Sequence, residues 1–153
     1  MQEIACHGLH AAPLARLRCD LAPGGRAILL LRDGAAVSTL ASYLVETGFG
    51  ASTLHVMEAL GGPRERIRAA RADTFALEDV AHPVAVGIAM AGSGKVMPRS
   101  SGMADSWFDH DGQITKRPVR ALALSALAPR PGERLWDVGA GSGSISVEWG
   151  LCG

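Results

Sequence analysis

The 153-residue chain has the length of one ordinary domain, and its 15 Lys and Arg against 15 Asp and Glu leave no basic excess for a nucleic-acid surface. Its composition, 48% hydrophobic and 20% charged, is globular, and no apolar run approaches the roughly 18 to 20 residues of a membrane span. No signal-peptide pattern opens the chain, and Cys6, Cys19 and Cys152 form no C-x-x-C pair, so we expect reduced thiols in the cytoplasm and neither a disulfide framework nor a zinc site.

A short polar segment of weak pattern precedes Pro23-Gly24-Gly25. Residues 26–31 (RAILLL) then form a continuous apolar run, the pattern of a buried strand in a parallel or mixed sheet. Asp33-Gly34 turns the chain. Val37, Leu40, Ala41, Leu44 and Val45 recur at helical spacing, and Gly48 stops that helix. Residues 53–57 (TLHVM) alternate as a strand, with His55 half-buried. After Gly61-Gly62 the spacing of Ile67, Ala70 and Arg71 predicts a second helix, opened by Pro63 and ending near Ala72. Its Arg64, Arg66, Arg68 and Arg71 read as a solvated helix face; the rival reading is a set of forks for carboxylates. Residues 83–90 (PVAVGIAM) give another strand. The first ninety residues thus read β-α-β-α-β, an α/β pattern with helices covering a sheet, and two further strands of the same domain are expected upstream.

Between Ala91 and Pro118 the pattern fails. A stretch so long and so rich in Gly, Ser, Asp and Pro is a domain linker or a functional loop. Trp107 and Phe108 are too apolar for a free linker and should dock on a domain. His110, between Asp109 and Asp111, reads as a surface-loop residue rather than a base. Val119, Leu122, Leu124, Ala126 and Leu127 then predict a helix ended by Pro129-Arg130-Pro131-Gly132. Residues 134–138 read as a buried strand with Trp136 in the core. Asp137 sits near its end, followed by a glycine loop and a helix from about Ser144. Glycines at 139, 141 and 143 permit a sharp turn and close approach to a ligand. The loop reads as a nucleoside-type pocket. The dinucleotide pattern G-x-G-x-x-G needs its third glycine where this chain has Ser144, which favours S-adenosylmethionine (SAM) over NAD.

The order Asp137-x-Gly139-x-Gly141-x-Gly143 resembles the first motif of class I SAM methyltransferases. Two blocks, Glu46 to Phe75 and Phe108 to Gly150, together resemble the decarboxylating precorrin-6Y methyltransferase family of cobalamin biosynthesis. The resemblance covers nearly the whole chain. It implies a C-terminal lobe of a tetrapyrrole-methylase fold over residues 1–93, a linker at 94–118, and the first β-α unit of a Rossmann-like methyltransferase over 119–153. In this reading the chain is an internal fragment, inactive by itself. The parent activity implied is SAM-dependent methylation of precorrin-6Y at positions 5 and 15, with decarboxylation of the ring C acetate. The cofactor-binding residues implied are Thr115, Asp137, Gly139, Ala140, Gly141, Ser142 and Gly143. The structural alternatives are an N-cap role for Thr115 and a helix-capping role for Asp137. The partner implied is an acidic tetrapyrrole, and Lys95, Arg99, Lys116 and Arg117 are placed to meet it. Neither nucleic acid, membrane nor metal is expected, and the parent is expected to be a homo-oligomer. Methyl transfer from a sulfonium needs little acid–base help, which suits a chain with no evident catalytic dyad. Two rival readings are a nucleotide-dependent Rossmann oxidoreductase and a non-catalytic fragment.

Overall fold

In the computed structural model, which describes residues 4–152, the apolar runs become strands of one mixed sheet. The strands are β1 (Ala5–Gly8), β2 (Arg26–Leu31), β3 (Thr53–Glu58), β4 (Arg66–Arg71) and β5 (Val84–Ala89), in the spatial order β1-β2-β5-β3-β4. β1 runs parallel to β2, and the other three pairings are antiparallel. The class is mixed α/β. The chain divides into two compact units, Met1–Met97 and Pro98–Gly153.

In the first unit the sheet buries one face. Ala27, Leu29 and Leu31 of β2 are buried while Arg26, Ile28 and Leu30 are exposed, so even the continuous run RAILLL obeys the two-residue period of a strand. The buried set shares one hydrophobic cluster with Leu54, Val56, Val86 and Ile88, and with Val37, Leu40, Ala41 and Leu44 of α1 (Ala35–Glu46). Each such Leu, Ile or Val side chain removed from water contributes about 1.5–3 kcal/mol. At the start of α1, Asp33 Oδ1 accepts the amide of Ala36 at 2.9 Å. The Arg32 guanidinium, then the Ala36 amide, hold the Asp33 carboxyl below its ordinary range. Gly48 ends α1 at φ +84°, and a Cβ there would stand 2.7 Å from the Gly94 Cα, so only glycine fits.

The expected second helix is absent. Residues 66–71 form β4, paired antiparallel with β3, Glu58 opposite Arg66 and Val56 opposite Arg68. The i, i+3, i+4 spacing of Ile67, Ala70 and Arg71 is genuine, but RIRAAR also alternates, and the tertiary pairing decides. The energetic reason lies at Glu58, whose carboxylate is fully buried. It accepts both Arg66 Nε and Nη2, at 3.1 and 2.7 Å, Arg68 Nε at 2.9 Å and the Ala81 amide at 2.7 Å. A helix at 66–71 could not aim both guanidiniums at one strand residue. The Arg66 bond leads in holding the Glu58 carboxyl down at about 2, against the opposing effect of burial. Arg71 pairs with Asp73 at 2.6 Å. Arg66, Arg68 and Arg71 are therefore engaged within the protein, on a strand and not as a solvated helix face or as free forks, while Arg64 is exposed ahead of β4. His55 is exposed, not half-buried, because it lies on the sheet face opposite Leu54 and Val56.

The second unit holds a 3-10 turn at Asp105–Trp107, α2 (Arg117–Leu127) and α3 (Ser144–Gly150). α2 ends where expected, with Ala128 at φ +46° ahead of Pro129. Its buried residues are Arg120 and Leu124, whereas Val119, Leu122 and Leu127 are exposed. The expected strand at 134–138 does not form: Trp136 is 88% and Val138 93% exposed. A strand is stabilised by its ladder, and among the described residues no strand pairs with this segment. Trp136 is therefore a surface residue and not part of a core.

Candidate functional site

Gly139, Gly141 and Gly143 take φ of +80°, +56° and +66°, the left-handed region that glycine alone enters without cost. The amide of Gly143 closes the turn on the Ala140 carbonyl at 2.9 Å. A Cβ at Gly139 or Gly143 would meet nothing within 4 Å, and one at Gly141 only the Gly139 carbonyl at 4.0 Å. The glycines are thus required here by backbone conformation, not by crowding. The space a Cβ would fill is free for a ligand to occupy, and Gly139, Ala140 and Gly141 are exposed while Ser142 and Gly143 are half-buried. Asp137, just before the loop, accepts the Ser146 hydroxyl of α3. It therefore ties the approach segment to α3 through a side chain, and does not cap the helix backbone.

Thr115 is exposed, immediately ahead of α2. Lys116 occupies the N-cap position and no side chain caps the helix, so the capping reading of Thr115 is not realised. Its carbonyl accepts Arg120 Nη1. Lys116, Arg117 and Arg99 are exposed in the same unit, and Lys95 is exposed in the first unit. His110 lies in an exposed turn where its Nδ1 accepts the Gly112 amide at 3.0 Å.

The feature that sequence reasoning missed is the centre of this unit. Arg120 is fully buried. Its Nε donates to Glu148 Oε1 at 2.8 Å and its Nη1 to Asp105 Oδ1 at 2.8 Å. Nη1 and Nη2 also donate to the carbonyls of Thr115 and Met103. The Phe108 ring covers the guanidinium, its centroid 4.7 Å from Cζ, which is the docking expected of Phe108. Glu148, buried on α3, also accepts the amides of Gly102 at 2.5 Å and Met103 at 3.1 Å. Burial disfavours the Arg120 charge, but the bonds to Glu148 and Asp105 prevail and raise its basicity further. The Arg120 bond likewise holds Asp105 below its ordinary range. The one signal in the sequence was spacing: Arg120 lies four residues before Leu124, on the same helix face.

Residues 106–153 match the precorrin methyltransferase domain family. A precorrin-6Y C(5,15)-methyltransferase (decarboxylating) of Sinorhizobium sp. is 48% identical over 154 residues, covering 99% of this chain and 37% of the relative. The enzyme of the same name from Mycobacterium tuberculosis (strain CDC 1551 / Oshkosh) is 49% identical over 128 residues, 82% of this chain and 32% of the relative. The chain is similar in sequence to precorrin-6Y methyltransferases. It spans about a third of the length of these relatives. A crystal structure of the C-terminal domain of the precorrin-6Y C5,15-methyltransferase from Rhodobacter capsulatus is 65% identical over 37% of this chain and 31% of its own, with a TM-score of 0.37. No helix among the described residues is long and apolar enough to cross a membrane.

Proposed function

We propose that the chain is part of a SAM-dependent methyltransferase acting on a precorrin, with decarboxylation, in cobalamin biosynthesis. The observation that carries this reading is the open three-glycine loop behind Asp137, in a chain that aligns over 99% of its length with a precorrin-6Y methyltransferase. Gly139, Ala140, Gly141, Ser142 and Gly143 wrap the methionine and ribose of the donor, with Asp137 at the methionine end and Thr115 as a further contact. SAM bound there supplies an electrophilic methyl group. The protein contributes alignment of donor and acceptor, a contribution worth up to about 7–11 kcal/mol in intramolecular systems. Exposed Lys116 and Arg117 meet the carboxylates of the tetrapyrrole. The reading extends to a cytoplasmic, homo-oligomeric parent that methylates positions 5 and 15 and removes the ring C acetate carboxyl. Ser144, buried at the start of α3, disfavours a dinucleotide oxidoreductase. The test is a ligand-induced thermal shift: SAM raises the melting temperature of the second unit and NAD does not. A shift with NAD and none with SAM overturns the proposal.

A further inference from the structure

Resting on that reading of Thr115 and the glycine loop, we propose that the buried Arg120–Glu148 pair is a positioning element that holds the two donor-binding segments in register. Arg120 reaches back to the Thr115 carbonyl. Glu148 belongs to α3, whose N-cap residue is Gly143, the last glycine of the loop. The 2.8 Å bond between them is the joint between these segments. Their remaining hydrogen-bond partners lie between residues 102 and 105: the Met103 carbonyl, the Gly102 and Met103 amides, and the Asp105 carboxylate in its 3-10 turn. A buried ion pair is an inefficient way to stabilise a fold, since apolar residues of like volume do as well or better. What it supplies is direction. A planar guanidinium offers five donors in a fixed fork, and here they engage four acceptors around it. Leu124, on the same helix face, already supplies apolar packing.

The test is a titration of SAM into the isotope-labelled 153-residue chain, followed by amide resonances, with three variants. Arg120→Lys keeps the charge, but its single ammonium cannot span the four acceptors. Glu148→Gln keeps the shape and loses the charge. Leu124→Ala removes packing alone. In Arg120→Lys and Glu148→Gln, the amides of Thr115 and of Gly139 to Gly143 are expected to shift together before any ligand is added, and SAM affinity to fall at least tenfold. In Leu124→Ala the melting temperature falls while the folded chain keeps its affinity within about twofold. Unmoved amides and unchanged affinity in either charge variant overturn the proposal, as does an equal affinity loss in Leu124→Ala. Unfolding of both charge variants makes the pair a stability element and overturns it too. If the unmodified chain shows no response to SAM, the donor reading fails separately. The joint or disjoint movement of the two amide sets then decides the positioning role alone.

Discussion

Replacing Glu58 by Gln takes one negative charge from between two guanidiniums. In the folded state the Glu58 carboxyl is lowered from 4.5 to about 2. This difference corresponds to about 3 kcal/mol of stability at neutral pH. Arg66 is 46% exposed and regains water when its partner goes, so the net loss is discounted to about 2 kcal/mol. For a unit of this size that is a fall of about 8–16 °C in melting temperature. The sign follows from the direction of the shift. A depressed carboxyl stabilises the fold above its unfolded value and loses that contribution as pH falls through the folded value, here between about 4.5 and about 2. Thermal unfolding by circular dichroism from pH 7 to pH 3 compares the two proteins. Asp33, Asp73 and Asp105 are also lowered, but they titrate in both, so the difference curve isolates Glu58. The expected difference is largest at neutral pH and narrows below pH 4. Parallel curves, or a fall under 2 °C at pH 7, would refute the ion-pair account of the β3–β4 pairing.

Gly48→Ala places a methyl 2.7 Å from Gly94 at a left-handed φ and should cost about 2 kcal/mol or more, read as a lower denaturation midpoint. Trp136→Ala should change stability by less than about 0.5 kcal/mol, because an 88% exposed ring has no packing to lose. A loss of about 3–5 kcal/mol, the cost at a core aromatic, would restore the buried strand at 134–138.

Local patterns carried most of the first unit. β2, β3 and β5 follow apolar or alternating runs at 26–31, 53–57 and 83–90 because burial on one sheet face imposes a period of two. β4 was hidden because RIRAAR satisfies two periods, and the residue that decides between them, Glu58, lies eight positions upstream of Arg66. The glycine loop was legible because positive φ is a local demand that the sequence meets with glycine. Trp136 was misplaced because apolarity alone does not supply a neighbouring strand. The Arg120 network was invisible for a related reason. A buried charge is tolerated only through its partners, and these lie up to 28 residues away at Glu148.

The loop at 139–143 is proposed to bind the methyl donor. The most direct measurement is a map of amide shifts as SAM is added to the labelled chain, repeated with Gly141→Val, whose branched side chain opposes φ +56° and fills the open space at the loop. Saturable shifts centred on Thr115 and on Asp137 to Gly143, abolished by Gly141→Val, are the predicted result. Shifts centred in the first unit, or undiminished in the variant, would contradict it.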